Sequence, residues 1–330
     1  MKRRMLLRSG KDVSAIGLGC MNFCGFYGPS DEKQAHGTLA AAQDLGIDLL
    51  DTSNVYGLGL SEDIIGRFLE RNPSNFTIAT KAGIWRDREH GNHGFRNDVA
   101  YLKRELEGSL RRLGVERVDL FYVHRRDHSL EIEDVMGTLL ELKADGKIGG
   151  IGFSEIAPAS LRRAATVGPV DAVQSEYSLW TRQPDLGLVQ TCRELGVTLV
   201  AYSPLGRGML VDQTPDPSIF ADTDFRKINP RFLPPNFELN VARLASFKAY
   251  AADHGVSTAA LALAWCLARG EHVIPIPGTR RADHLADCAA GASIDLSDAM
   301  MAEIERILPV GWAHGDRYAA AQWNGPEGYC

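Results

Sequence analysis

FTIATK (residues 76–81), DVAYLKRELEGSLRRL (98–113) and VDLFYVH (118–124) follow one another as strand, helix and strand. The outer two are short β-branched or apolar runs, as expected of strands covered on both faces. Between them Leu102, Leu106, Leu110 and Leu113 recur at steps of four, four and three. That spacing makes one apolar stripe on a helix whose other faces carry Lys103, Arg104, Glu105 and Glu107. The alternation extends in both directions, and strands are expected at 15–18, 47–50, 76–80, 118–123, 148–153, 170–174, 197–202 and 273–276. STAALALAWCLA (257–268) is apolar most of the way round and predicts a buried helix. Strands alternating with helices and no break in composition fit an α/β fold, a closed parallel (β/α)8 TIM barrel forming one domain over 1–330. A doubly wound sheet would put G-x-G-x-x-G after its first strand, but Gly17-Leu18-Gly19 is followed by Cys20, Met21 and Asn22. The segment 5–13, with Ser9-Gly10-Lys11 between two short runs, reads as a hairpin ahead of the barrel. Long connections at 84–97 and 206–240 and a tail from 309 to 330 read as candidate lids.

Composition narrows the function. The chain has 330 residues, 45% hydrophobic and 24% charged, so disorder and coiled coil are excluded. Its net charge of −6, spread without long single-sign blocks, argues against a nucleic-acid partner. The cysteines at 20, 24, 192, 266, 288 and 330 form no CxxC pair and read as reduced thiols. MKRRMLLRSG has no apolar stretch for a secretory signal, and no run approaches a membrane helix, so a cytoplasmic location without a membrane partner is expected.

In a parallel barrel the reacting groups come from the carboxyl ends of the strands. Asp51, Tyr56, Lys81 and His124 all stand at or just beyond such ends, and one shared pocket is expected. A carboxylate at Asp51 would keep the Lys81 ammonium charged and oriented. That ammonium would lower the Tyr56 phenol from its ordinary pKa of about 10. Such a phenol can give a proton to a carbonyl oxygen, with His124 as a second donor to the same oxygen. Metal chemistry is not expected: His124 and His128 leave a strand for a loop, and His90 and His93 lack a third ligand nearby. Gly152-Phe-Ser154-Glu155-Ile156 lacks the closing glycine of a nucleophile elbow, and there is no G-x-x-x-x-G-K-[ST] loop.

Together the segments Asp51-Thr-Ser-Asn-Val-Tyr56-Gly, Thr80-Lys81, His124-Arg125, Gly152-Phe-Ser154-Glu155, Gln174-Ser-Glu-Tyr177-Ser178, Tyr202-Ser-Pro-Leu-Gly-Arg-Gly208 and Ile276-Pro-Gly-Thr-Arg280-Arg281 resemble the successive signatures of the aldo-keto reductases. The resemblance runs from about residue 5 to 309 and leans toward microbial branches that accept aldehydes and ketones broadly. It implies an NAD(P)H-dependent reductase of small carbonyl compounds, with Asp51, Tyr56, Lys81 and His124 as catalytic tetrad. It further implies that Gly19, Cys20, Met21 and Asp51 approach the nicotinamide and ribose, that Ser154, Glu155 and Gln174 lie by the nicotinamide ring and that Tyr202 stacks beneath it. Ser203, Pro204, Leu205, Gly206, Arg207 and Gly208 would wrap the pyrophosphate. Ile276, Pro277, Gly278, Thr279, Arg280 and Arg281 would hold the adenosine 2′-phosphate, since guanidinium forks suit a phosphate dianion, and NADPH/NADP+ is expected ahead of NADH. His284, Asp287 and Cys288 would lie by the adenine.

Two other readings stand beside this one. Lys81 could form a Schiff base in an aldolase or lyase, or the barrel could be a cofactor-sensing regulatory subunit. Phe26, Tyr27, Trp85, Trp180, Phe225 and Phe232 offer aromatic surface in the long loops, and Tyr27, Trp85, Trp180 and His124 are the expected pocket wall. The tail, with Trp312, Arg317, Tyr318 and Trp323, would close over the pocket or make a subunit contact.

Overall fold

The structure is a computed structural model and describes residues 1–6, 8, 10–86 and 93–329. In chain order its strands are β1 (Arg3–Met5), β2 (Asp12–Ser14), β3 (Leu18–Gly19), β4 (Leu49–Asp51), β5 (Thr77–Ala82), β6 (Ile84–Arg86), β7 (His93–Phe95), β8 (Val118–Val123), β9 (Ile148–Ser154), β10 (Ala172–Glu176), β11 (Thr198–Tyr202) and β12 (Val273–Ile276). Its helices are α1 (Glu32–Asp44), α2 (Leu60–Arg71), α3 (Val99–Leu113), α4 (Ile132–Ala144), α5 (Pro158–Val167), α6 (Leu188–Leu195), α7 (Asn236–Asp253), α8 (Thr258–Ala268), α9 (Ala282–Ala290) and α10 (Asp298–Ile307).

Among the described residues, eight parallel strands pair in the order β3-β4-β5-β8-β9-β10-β11-β12. A parallel bridge between Gly19 and Gly278 returns the last strand to the first. Gly17 N–H donates to Pro275 O and Gly19 N–H to Pro277 O, both at 3.0 Å. The expected (β/α)8 TIM barrel is therefore closed, and its seam explains two glycines. A Cβ on Gly17 would stand 2.9 Å from Ile276 Cγ2, and one on Gly19 3.0 Å from Ile276 O, so neither backbone could approach β12 with a side chain.

Local sequence fixes the helices. The Asp98 carboxylate accepts from Tyr101 N–H at 3.0 Å and starts α3, and Gly114 ends it in the left-handed conformation at φ 68°. Leu102, Leu106, Leu110 and Leu113 are all buried, as their spacing requires. Ser257 caps α8, which is buried from Thr258 to Leu267. At the amino-terminal end of the strands, the hairpin β1–β2 sends Leu6 and Val13 into the barrel interior against Leu49, Leu120, Tyr122 and Ile274. That plug leaves the carboxyl ends as the open face. Residues 7 and 9 of the expected hairpin turn lie outside the described residues.

The connection 84–97 carries more structure than expected: β6 pairs antiparallel with β7, Trp85 opposite Gly94, while residues 87–92, including His90, lie outside the described residues. Among the described residues, no helix is long and apolar enough to cross a membrane, and no group of three His, Cys, Asp or Glu side chains could hold a metal ion.

Candidate active site

β4, β5 and β8 bring the four expected groups together. Lys81, fully buried near the end of β5, donates from Nζ to Asp51 Oδ1 and, at 2.7 Å, to Thr52 O. Gln174, on β10 across the barrel, donates to Asp51 Oδ2 at 2.7 Å. The carboxylate is thus held from two sides. Lys81 Nζ lies 5.2 Å from the centroid of the Tyr56 ring, and that ring meets the His124 imidazole edge to face at 5.8 Å. Burial pushes Asp51 up and Lys81 down, and the charge of each pulls the other back.

One expectation is corrected. Tyr56 is not lowered by Lys81: burial pushes its phenol well up, the Asp51 carboxylate adds to this, and Arg125 opposes it. The ammonium is in direct contact with a carboxylate, so little net positive charge reaches the phenol and desolvation prevails. Tyr56 keeps its proton. His124 is driven well below the ordinary imidazole value by burial first, then by Arg125, Lys81 and Arg86. Its Nδ1 stands 3.1 Å from Ser53 Oγ. A protonated phenol beside a neutral imidazole can receive a carbonyl oxygen and hand it a proton.

The residues expected around a cofactor line the same face. Cys20 is fully buried and donates its N–H to Asp51 O at 2.8 Å, and Met21 beside it is half-buried. Ser154 ends β9, and Tyr202 ends β11. Four non-glycine residues have left-handed φ among the described residues, and three of them, Glu155 (56°), Ser203 (48°) and Arg207 (59°), fall in these segments. Backbone held there against its preference tends to mark a functional turn. Gly206 and Gly208 share that conformation, and Pro204 is buried beneath the turn with Leu205 half-buried beside it.

Beyond β12, Pro277 and Thr279 are buried, and the Thr279 hydroxyl accepts from Arg281 N–H at 3.1 Å. Arg280 donates to Tyr27 O at 2.8 Å and Gly28 O at 3.1 Å, whereas Arg281 is exposed and clasped by Asp283. Arg226, which sequence reasoning missed, stacks on Tyr27 at 4.7 Å. Burial lowers Arg280, and the charges of Arg226 and Arg281 add to that shift while Asp224, which pairs with Arg226 at 2.7 Å, opposes it. On α9, His284 is exposed and Asp287 half-buried, but Cys288 is buried in a core cluster with Ile16 and Leu263.

The expected pocket walls divide. Trp85 borders an opening of about 250 Å³ together with Val55, Leu58 and Tyr101. Tyr27 faces the Arg226 and Arg280 side, its phenol pushed up to about 12 by burial. Trp180 is buried at 3% exposure, stacked on Trp312 at 6.0 Å and packed under Gly206, which puts it inside the fold beneath the loop.

Three tail side chains reach this face. Arg317 donates to both Glu155 oxygens, at 3.2 and 2.5 Å, and its charge, after burial is offset, holds Glu155 down at about 2. Tyr318 and Tyr202 share a hydrogen bond of 2.6 Å between their hydroxyls. Glu327 accepts from Arg126 at 2.8 Å and from Ala157 N–H at 2.7 Å. Sequence places Arg317 and Tyr318 only in the tail; nothing local in it names Glu155 or Tyr202 as their partners.

The family model described as "Aldo/keto reductase family" matches residues 15–309. The aldo-keto reductase yakc of Schizosaccharomyces pombe, whose name carries the designation NADP(+), is 39% identical over 311 residues, covering 93% of this chain and 92% of that protein. A probable aldo-keto reductase of Glycine max is 38% identical, over 94% of this chain and 89% of its own. Among solved structures, a glycerol dehydrogenase of Gluconobacter oxydans matches with a TM-score of 0.85 at 29% identity, over 93% of this chain and 94% of that one. An aldo-keto reductase of Bacillus halodurans in its holo form matches at 0.78 and 25% identity, over 93% and 96%.

Proposed function

The chain belongs to the aldo/keto reductase family, and from that premise we propose that it is an NADPH-dependent reductase of small aldehydes and ketones, built as one catalytic domain over 1–330. The observation that carries the reading is the bonded set Gln174–Asp51–Lys81 set against a Tyr56 phenol that keeps its proton beside a neutral His124.

The residues fit the cofactor. Left-handed turns at Ser203, Gly206, Arg207 and Gly208 make the kind of backbone concavity that accepts phosphate oxygens. Arg280, bonded among the described residues only to the carbonyls of Tyr27 and Gly28, keeps its charge available for a 2′-phosphate, with Arg226 and Arg281 adding positive charge nearby although each is paired with an aspartate. Ser154, Glu155, Gln174 and Tyr202 would flank the nicotinamide, with Cys20 and Met21 alongside. NADPH, once bound, supplies a hydride.

The chain's own groups do the rest. Tyr56 and His124 hold the carbonyl oxygen, so that charge growing on it in the transition state meets two donors in a partly dry site. Tyr56 gives up the proton. The phenolate left behind lies 5.2 Å, measured from its ring centroid, from the Lys81 ammonium, whose position Asp51 and Thr52 fix. Those same bonds speak against a Schiff base, because an ammonium donating to a carboxylate and a carbonyl has no free electron pair to attack with. Tyr56→Phe is expected to abolish NADPH oxidation by a simple aldehyde while leaving NADPH affinity, read by fluorescence titration, nearly unchanged. Undiminished turnover would overturn the assignment.

A further inference from the structure

Several arginines reach the open face, and their pairing differs. Arg317 is bound to Glu155, Arg207 to Glu176 at 2.9 Å, and Arg126 to Glu327. Arg125 has no carboxylate within ion-pair distance among the described residues. Its two side-chain hydrogen bonds both use Nη1, which donates to His124 O at 2.6 Å and to Ser154 Oγ at 3.0 Å. The opposite edge of the guanidinium, Nε and Nη2, donates to no described residue. That edge is the planar fork that matches a carboxylate with two parallel bonds.

Its hydrogen bonds to His124 O and Ser154 Oγ bring the side chain to the face that carries the proposed reacting groups. Arg125 directly follows His124 in sequence, and the groups whose charges act on it are Tyr202, Tyr318, Glu155 and Tyr56. The bond to Ser154 sets it beside the proposed nicotinamide platform, and Gly325 sets it beside the tail. The residue is also held in place. Asn97 Nδ2 donates to the backbone carbonyl of Arg125 at 3.1 Å, and a Cβ on Gly325 of the tail would stand 3.1 Å from Arg125 Cδ and 3.2 Å from Nε, so glycine there lets the tail lie along the arginine stem without a side chain over the Nε edge. A half-buried, clamped cation gives a stronger and more selective bond to an anion than a mobile surface one does.

We propose that Arg125 is a specificity-determining residue whose free Nε–Nη2 edge binds a carboxylate carried by the carbonyl substrate, so that the enzyme prefers carbonyl acids to their neutral counterparts. The inference rests on the reductase reading and narrows its substrate class. It is tested with 4-carboxybenzaldehyde and its methyl ester, which differ in charge; the ester group activates the aldehyde more, so a preference for the acid cannot come from intrinsic reactivity. The acid is expected to show a kcat/KM about tenfold or more above the ester, the size of a charge-assisted bidentate contact. The ratio should fall to one or below in Arg125→Met and survive in part in Arg125→Lys, with the change mostly in KM. Equal handling of acid and ester by the wild type, or a ratio unmoved by Arg125→Met, overturns the proposal while the reductase reading stands. If neither compound is reduced, the reductase reading fails. Calorimetric titration of the same two compounds into wild type and Arg125→Met then decides the anion site alone: tighter binding of the acid that is lost in the variant supports it, and identical binding of both overturns it.

Discussion

The barrel wall and the tail meet at the same side chains and are held there by different forces. The strand ends that carry Asp51, Lys81 and His124 belong to a continuous parallel ladder backed by apolar core, with one buried ion pair set into it. Among the described residues the tail beyond 309, where the family match ends, contributes no strand to that ladder and is attached at separate points. Among them are the Arg317–Glu155 and Arg126–Glu327 pairs, the Tyr318–Tyr202 hydroxyl contact, Trp312, which stacks on Trp180 and donates to Leu179 O at 2.7 Å, and the Asn229 amide, which donates to Arg317 O at 2.7 Å. A ladder on an apolar core does not depend on a single protonation state. An attachment through charged groups does, so the wall should give way through lost charge compensation in its interior and the tail through titration.

Lys81→Met tests the wall and carries the largest expected effect. It leaves the Asp51 carboxylate buried at 3% exposure without its cation. An uncompensated buried charge costs about 3–5 kcal/mol, to be read by urea denaturation at neutral pH. Turnover should fall about 100-fold or more, because the phenolate formed from Tyr56 loses its counter-charge. The double variant Asp51→Asn/Lys81→Met separates the two effects, since it should recover most of the stability and none of the activity. A single variant as stable as the wild type would mean that the pair is not what holds these strand ends.

The tail is tested by Arg317→Met through pH. Glu155 is held at about 2 against an ordinary 4.5, so its contribution is fully present above 4.5 and is lost as pH falls from there toward 2. A shift of that size corresponds to stability of order 3 kcal/mol at neutral pH. The wall has its own acid dependence. His124 is pushed well below 6.5, so the unfolded chain takes up a proton that the folded site refuses, and stability begins to fall as pH drops below 6.5. Wild type should therefore lose stability in two windows, below 6.5 from the wall and below 4.5 from the tail. Arg317→Met should be weaker at neutral pH and should lack the second loss, because a buried Glu155 without its guanidinium takes up a proton readily. Two identical acid profiles would show that the tail is not anchored through this pair.

The same division governs what the sequence disclosed. Strand positions and the convergence of Asp51, Tyr56, Lys81 and His124 were legible because they depend on local composition and on the rule that barrel strands deliver their ends to one face. The direction of the Tyr56 shift was not, since it is a balance of burial with charges arriving from β4 and β8. Arg317 reaches Glu155 across 162 positions of chain, a separation over which no periodicity operates. Trp180 and Cys288 went to core packing because local pattern does not say whether an apolar side chain beside a site faces the opening or the interior. At Gly17 and Gly19 the seam with β12 supplies a reason for glycine before any cofactor is considered.

The smallest expected effect lies just past β12, where the wall runs out into a loop and one of two neighbouring arginines is anchored while the other is not. Arg280 is half-buried and fixed by the carbonyls of Tyr27 and Gly28, neutral partners that leave its charge available. Arg281 is exposed and spends its fork on Asp283, through Nε at 3.0 Å and Nη2 at 2.5 Å. A surface pair of that kind is worth about 0–1 kcal/mol and must open before Arg281 can turn to a phosphate. Arg280→Ala should therefore weaken NADPH binding relative to NADH more than Arg281→Ala does. Asp283→Asn, which frees Arg281, should tighten NADPH about two- to threefold and leave NADH unchanged, as read by fluorescence titration at low salt. If Arg281→Ala proves the more damaging change, the clasp with Asp283 gives way to the cofactor's phosphate, and the exposed arginine, not the anchored one, makes the discriminating contact.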